Sequence, residues 1–579
     1  MALVEQRVEL LTERSVMIPM RDGVRLAADL WRPDTDEPVP VLVARTPYNR
    51  AMLGTLAAEV LAKAGYAVLQ QDCRGRFESE GEGWCPVELD ADDGYDTVEW
   101  AAAQPWSNGK VGMFGASYMG YVQWQAAIAR PPSLVAILPE TAAADYWDPI
   151  FGPGGAFRVA NRVGWTLLVA MEEARRQAID DPLLDELREG LAALAPGDIM
   201  GRAAVMTPVV ERLMWHRPLR DIPFFARVAP WYADYFVHDR RDDPSWLRSN
   251  PRSHYTELDL PAIHIGGWYD VQLSNTLLAY EGMRDRAATD EARAGQRMII
   301  GPWTHWGITV PVVGDIDFGP SSVLDIDALR LGWFDHWMRD TPSSVVDDPP
   351  VRVFVMGDNE WRDEHEWPLA RTQWTPWYLH ADGGFGPEAP TGDDGPDAFT
   401  YDPHDPVPTL GGRLLGTGGA RGGPVEQGDV ATRADVLAYT SGPLPTDLEI
   451  TGPVRAELWA STSAPDTDFT AKLVDVHPDG RSYNICDGIV RARTQFPIPL
   501  VAGATYCFTV DLAATSIVVP AGHRLQLQVS SSNFPMFEAN ANTGLPAGTD
   551  TADDLRVAEQ RVFHDAHRPS RIVLPVVPR

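Results

Sequence analysis

Ser117 is the residue whose neighbours best equip it to act as a nucleophile. The run Lys110-Val-Gly-Met-Phe-Gly115-Ala-Ser117-Tyr118-Met-Gly120 carries an apolar strand into a serine flanked by glycines, and a helical pattern follows over 118–130. Strand, serine and helix in that order read as a nucleophile elbow of the Gly-x-Ser-x-Gly type, with the second glycine one residue late. The chain must reverse so sharply there that the residues beside the serine have to be small. The hydroxyl then stands clear of the sheet, and the helix N-terminus offers N–H groups and a positive dipole to a developing oxyanion.

A serine hydroxyl needs a base, and the base needs a carboxylate to orient it. On a hydrolase sheet these follow in the order Ser, Asp, His, each just beyond the C-terminal end of a strand. Asp270 closes Ile263-His-Ile-Gly-Gly-Trp-Tyr-Asp270, directly after an apolar run. His305 sits in Gly301-Pro-Trp-Thr-His305, after the apolar run 298–300. Of the 13 histidines, only His305 and His264 fall at or near a strand in this half, and His264, inside its strand, reads as a core residue. One oxyanion donor should be the backbone N–H of Tyr118. For the second, Arg45-Thr-Pro-Tyr48-Asn-Arg50 has no glycine-rich segment to aim an N–H. It offers Tyr48 behind a proline, and the residues alone leave that tyrosine open between phenolic donor and packed aromatic.

The elements that must position these residues are legible as rhythm. Residues 15–32 alternate about Arg21-Asp-Gly23 and read as a hairpin. Apolar runs at 39–44, 67–71, 111–114 and 134–138 alternate with helical stretches at 52–64, 91–103 and 118–130. That alternation predicts an α/β fold, a largely parallel sheet with helices on both faces. It stops near Asp145, and 157–214 is helical throughout, which reads as a cap over the site. Strands return at 261–267 and 297–301, with helices at 272–285 and 323–339. Beyond Thr341, short strands between Gly, Pro and Asp turns, beginning with 351–356 and 373–380, predict an all-β sandwich or jelly roll. The expected division is an α/β-hydrolase core at 1–144 and 246–345, an inserted helical cap at 145–245, and a C-terminal jelly-roll β domain at 346–579. The Gly-rich loop 411–423 is long enough to expect a functional role for it.

Gly115-Ala-Ser-Tyr-Met-Gly120, Arg45-Thr-Pro-Tyr48, Asp72-Cys-Arg-Gly75, Gly267-Trp-Tyr-Asp270 and Gly301-Pro-Trp-Thr-His305 form a set. With Asp405-Pro-Val-Pro-Thr-Leu-Gly-Gly412 and Asp466-Thr-Asp-Phe-Thr-Ala-Lys-Leu-Val-Asp475, they resemble the cocaine esterase / X-Pro dipeptidyl-peptidase (S15) hydrolases over essentially the whole chain. The resemblance implies an α/β-hydrolase with a helical cap and a jelly roll. It also implies a Ser117–His305–Asp270 triad, with the Tyr48 hydroxyl and the Tyr118 N–H as oxyanion donors. By the same resemblance an acyl pocket would be built from Ile150, Trp165, Gln272, Leu414 and Leu415. Ile150, Gln272 and Leu415 replace aromatics of the family's benzoyl box, which makes this pocket less aromatic and cocaine a doubtful substrate. The α-amino ester hydrolases of the family hold the substrate ammonium with acidic residues partly just after the triad aspartate. Val271 and Gln272 stand there, which disfavours that activity.

Composition narrows the partners. A net charge of −32 and a pI near 4.7 argue against nucleic acid and anionic membrane. The four cysteines have no Cys-x-x-Cys spacing, so neither a zinc site nor a disulfide framework is expected. Buried free thiols are the favoured reading, with a Cys73–Cys85 bridge left open. No stretch reaches 18 apolar residues, and charge interrupts the first residues as it would not in a signal sequence, so a cytoplasmic location is expected. No metal site or nucleotide loop is visible, and no cofactor is expected. The function expected is a serine esterase acting on small esters through an acyl-enzyme, with an amidase or peptidase of the X-Pro or acylase type as the alternative. A carbohydrate-binding β protein would leave the Ser, Asp, His order unexplained. Oligomeric state stays open, relatives often being dimers or higher.

Overall fold

The computed structural model describes residues 9–52, 56–194, 199–415 and 421–579. A hairpin of β1 (Leu10–Pro19) and β2 (Arg25–Pro33) turns at Arg21-Asp-Gly23, as its alternation predicts. Then follow β3 (Val39–Thr46), α1 (Leu56–Lys63), β4 (Ala67–Asp72), α2 (Asp90–Ala102), β5 (Ser107–Ala116), α3 (Tyr118–Ala129) and β6 (Leu134–Glu140). The helix read from 52 onward runs partly through 53–55, outside the described residues. The helical insertion comes next, comprising α4 (Asp148–Phe151), α5 (Val159–Arg176), α6 (Pro182–Ala192), α7 (Ile199–Met214), α8 (Pro223–Val228) and α9 (Trp231–Val237). The chain returns to the sheet with β7 (Ala262–Gly267), α10 (Leu273–Arg286), β8 (Gln296–Gly301) and α11 (Ile326–Arg339).

From β3 to β8 the central strands run parallel, and alternate side chains face opposite helical layers. Val41, Val43 and Met113 pack with Val98 of α2, Trp124 of α3 and Met283 of α10. Leu42, Ala44 and Phe114 face the other way, onto Leu61 of α1 and Trp333 and Phe334 of α11. His264 belongs to the first layer. Its Nε2 lies 2.9 Å from Gln296 Oε1 and its ring packs on Trp124, while burial pushes its pKa down to about 4. It is therefore a neutral core residue at physiological pH.

The sheet does not end at β8. β9 (Val351–Val355) pairs parallel with β8, and β10 (Glu360–Glu364) pairs antiparallel with β9, making ten strands. This corrects the expectation that the strand at 351–356 pairs within the β domain. Val351, Val353 and Phe354 bury themselves against Trp268, Met298 and Ile300 of the hydrolase core instead. The sequence pattern of such a strand is the same whichever sheet it joins.

The remaining chain forms two antiparallel sheets that close on a shared core. Leu458 and Leu574 come from one sheet, Leu473 and Leu527 from the other. This β domain braces the cap where α5 begins: Ala160 N–H donates to the Pro535 carbonyl at 3.0 Å, and Glu538 N–H to that of Phe157 at 2.9 Å. All four cysteines are unpaired; Cys73 and Cys486 are buried, whereas Cys85 is exposed. No described helix is long and apolar enough to cross a membrane.

Candidate active site

Between the last residue of β5 and the first of α3 stands Ser117 alone, at φ 62° and ψ −121°. A non-glycine residue rarely adopts that conformation, so the surroundings must enforce it. The Ser117 N–H donates to the Glu140 carbonyl at 2.9 Å, and its carbonyl accepts from the N–H groups of Gly120 and Tyr121, both at 3.0 Å. A Cβ on Gly115 would come within 2.8 Å of Met119 Cβ, and one on Gly120 within 2.6 Å of Ala142 Cβ. It is position 120 that crosses Ala142, which accounts for a methionine at 119 and a glycine one residue later. Tyr118 opens α3, so its N–H has no acceptor inside the helix. The ring beyond it is fixed, its hydroxyl donating to Asp90 Oδ2 at 2.6 Å and accepting from Val87 N–H at 3.0 Å.

Two neighbouring strands bring the next pair together. The loops after β7 and β8 are joined by hydrogen bonds from Trp268 N–H to the Gly301 carbonyl (2.9 Å) and from Tyr269 N–H to that of Trp303 (3.0 Å). They run so close that a Cβ on Gly267 would sit 2.2 Å from the Trp303 oxygen. Asp270 Oδ1 therefore meets His305 Nδ1 at 2.8 Å, with both side chains buried. The same oxygen accepts from Gln272 N–H at 3.1 Å, and Oδ2 has no partner among the described residues. Trp306 packs its ring edge-on to His305, 4.8 Å between centroids, and donates from Nε1 to the Leu415 carbonyl at 3.0 Å.

Tyr48 follows β3 on a loop pinned at both sides. Arg50 is held by the buried carboxylates of Asp29 and Asp72, and Arg76 Nε donates to the Pro47 carbonyl at 2.9 Å. Trp165 Nε1, from cap helix α5, donates to the Tyr48 oxygen at 2.9 Å. Burial raises the phenol above its ordinary pKa, partly opposed by hydrogen bonding with Trp165 and with the Ser117 side chain. The phenol thus keeps its proton at neutral pH and has it to donate.

Ser117, His305, Tyr48 and Tyr118 line one cleft of about 430 Å³. Of the expected acyl-pocket residues, Trp165, Gln272 and Leu415 line it too. Gln272 is anchored, its side-chain oxygen accepting from Asn275 Nδ2 at 3.0 Å. Ile150 and Leu414 are corrections. Both are buried in the apolar cluster that also holds Tyr118 and Trp165, while Pro149 and Leu415, their chain neighbours, line the cleft. Apolar side chains on so short a helix and loop go to the core, and the adjacent residue is left at the surface of the cleft. The loop bearing the leucines is closed at its neck by Gly412 and Gly423, which exchange N–H donations of 2.8 and 2.9 Å; its residues 416–420 lie outside the described residues.

Asn161 and Arg162, four and three residues before Trp165 on α5, also line the cleft and were not anticipated. Helical spacing with Trp165 is the signal that could have found them. Among the described residues, Asp475, His477 and His523 form a set able to hold a metal ion, their ligand atoms within 4.8 Å of one another. They lie in the β domain and line none of this cleft.

An elbow serine, an Asp–His pair after the strands that follow, and helices on both faces of a mostly parallel sheet define an α/β-hydrolase. Residues 22–307 match the family model for X-Pro dipeptidyl-peptidase (S15 family), and residues 343–573 match that for the X-Pro dipeptidyl-peptidase C-terminal non-catalytic domain. The chain is 40% identical over 588 residues to the cocaine esterase of Rhodococcus sp. (strain MB1 Bresler), covering 98% of each. In structure it is similar to an aminopeptidase from the marine sediment archaeon Thaumarchaeota archaeon, with a TM-score of 0.82, 25% identity, and 100% of this chain and 98% of that one covered. An α-amino acid ester hydrolase gives a TM-score of 0.80 at the same identity and coverage. The chain belongs to the S15 family of cocaine esterases and X-Pro dipeptidyl-peptidases, and it is a serine hydrolase.

Proposed function

We propose that this hydrolase is an esterase that cleaves small carboxylic esters through an acyl-enzyme on Ser117. The observation that carries the reading is the buried 2.8 Å contact of His305 with Asp270 in the same cleft as the elbow serine. Ser117 attacks the ester carbonyl while His305 takes its proton through Nε2. Asp270 holds the Nδ1 proton in place and stabilises the imidazolium that forms. The carbonyl oxygen, now negative, accepts from the Tyr48 hydroxyl and the Tyr118 N–H. His305 then returns the proton to the leaving alkoxide, and water repeats the sequence on the acyl-enzyme.

The lining of the cleft supports an ester rather than a substrate with a free α-amine. An ammonium group needs a carboxylate to meet it, and among the described residues no aspartate or glutamate lines this cleft. Parallel assays of p-nitrophenyl butyrate and an Xaa-Pro p-nitroanilide test this. Turnover of the ester alone is expected; faster turnover of the anilide would replace the esterase reading with the peptidase one.

Tyr48→Phe removes a donor that matters mainly once charge has reached the oxygen. It should lower kcat by about 10²-fold and leave KM nearly unchanged. Steady-state kinetics on p-nitrophenyl butyrate measure this. An unchanged kcat would return Tyr48 to a packing role.

A further inference from the structure

Among the described residues Arg162 is a buried cation without a counter-ion. Its side chain is 95% withdrawn from solvent, since only 5% of the residue is exposed, yet it lines the catalytic cleft. Its Nε and one terminal nitrogen donate to a neutral acceptor, Asn161 Oδ1, at 3.1 and 2.6 Å, and the neutral Tyr235 phenol also interacts with the guanidinium. The guanidinium carbon stands 5.0 Å from the ring centroid of Trp165. Among the described residues no carboxylate pairs with it, and the groups on which its charge acts include the phenols of Tyr48, Tyr146 and Tyr235.

The acids around the cleft are committed elsewhere. Asp270 is bound by His305, Asp90 by the Tyr118 hydroxyl with Arg45 nearby, and Asp145 by Arg241 and Arg252. A guanidinium keeps its charge when buried, and an uncompensated buried charge is costly to hold. A charge retained under those conditions in a substrate cleft is one that a ligand can complete.

Resting on the esterase reading above, we propose that Arg162 binds a carboxylate on the acyl part of the substrate. The preferred substrates are then monoesters of dicarboxylic acids. The acyl side follows from the neighbours. Arg162 lies on the indole that hydrogen-bonds Tyr48, the donor to the carbonyl oxygen, whereas the leaving oxygen must end beside His305 to receive its proton. Asn161 fixes one edge of the guanidinium, and the remaining N–H groups suit a carboxylate, a planar acceptor with two oxygens. The chain's net charge of −32 opposes the approach of an anion only weakly, because surface charge is screened beyond about 8 Å at physiological salt while Arg162 acts at contact.

The test compares isosteres that differ in charge. Monoethyl succinate, glutarate and adipate are assayed by pH-stat against the ethyl esters of the corresponding half-amides. In the parent enzyme at least one half-acid should exceed its half-amide about tenfold or more in kcat/KM, and the best chain length reports the reach to Arg162. Arg162→Gln should abolish the preference and Arg162→Lys should keep part of it. No preference in the parent, or one that survives Arg162→Gln, overturns the proposal; the parent comparison decides even where a variant does not fold. A preference confined to a carboxylate on the leaving group, read with 4-acetoxybenzoate against 4-acetoxybenzamide, overturns the acyl assignment. Turnover of p-nitrophenyl butyrate separates the two levels. With it and without a half-acid preference, the Arg162 proposal alone falls; if no ester is turned over, the esterase reading falls and the proposal with it.

Discussion

Replacing Ser117 by alanine is expected to lower kcat for p-nitrophenyl butyrate at least about 10³-fold while the protein stays folded. The expectation follows from the elbow. The Ser117 backbone is held by hydrogen bonds to Glu140, Gly120 and Tyr121, none of which uses the hydroxyl, so the turn does not depend on the side chain. Alanine is a poor resident at φ 62°, but so is serine, and the strain is therefore largely unchanged. Circular dichroism and a thermal melt like the parent's, with the lost rate, are the expected pair of results. Activity within tenfold of the parent, in protein free of contaminating esterase, would mean that another residue is acylated.

Asp270→Asn is expected to cost about 10³-fold in kcat with little change in KM. Both donors to Asp270, His305 Nδ1 and Gln272 N–H, share Oδ1. An asparagine oxygen can take over both bonds and preserve the geometry. What disappears is the negative charge facing the imidazolium that forms as His305 accepts the serine proton. The new amide NH2 would occupy the place of Oδ2, buried and without a partner, and some loss of stability follows from that as well. The rate loss is the diagnostic, read at a temperature where both proteins are fully folded. A loss below tenfold would show that Asp270 serves the fold and not the proton transfer.

How much of this was legible in the chain depends on the range of the interaction. The elbow is local: strand, small residues, serine and helix lie within a dozen residues, and their sterics leave one turn. Asp270 and His305 were legible because each ends an apolar run, and adjacent parallel strands bring their C-terminal loops to one edge. β9 was assigned to the wrong sheet because a strand's own pattern does not name its partner. The pocket was less legible still. A motif carried over from a family identifies a segment, whereas packing decides which of two neighbouring side chains turns inward. Pro149 lines the cleft where Ile150 was expected, and Leu415 lines it as expected without Leu414 beside it. Arg162 escaped notice because its helical stretch reads as an ordinary amphipathic cap, and a charge there looks solvent-facing until the cleft is seen.

The central claim, an acyl-enzyme on Ser117 within this cleft, is tested most directly by covalent labelling. Incubating the parent protein with a p-nitrophenyl alkylphosphonate and mapping the adduct by peptide mass spectrometry gives the location without presuming the substrate. One phosphonyl group per chain on the peptide bearing Ser117, formed in step with the loss of esterase activity and absent from Ser117→Ala, is the predicted result. An adduct on any other residue, or complete labelling of Ser117 with esterase activity intact, would contradict it.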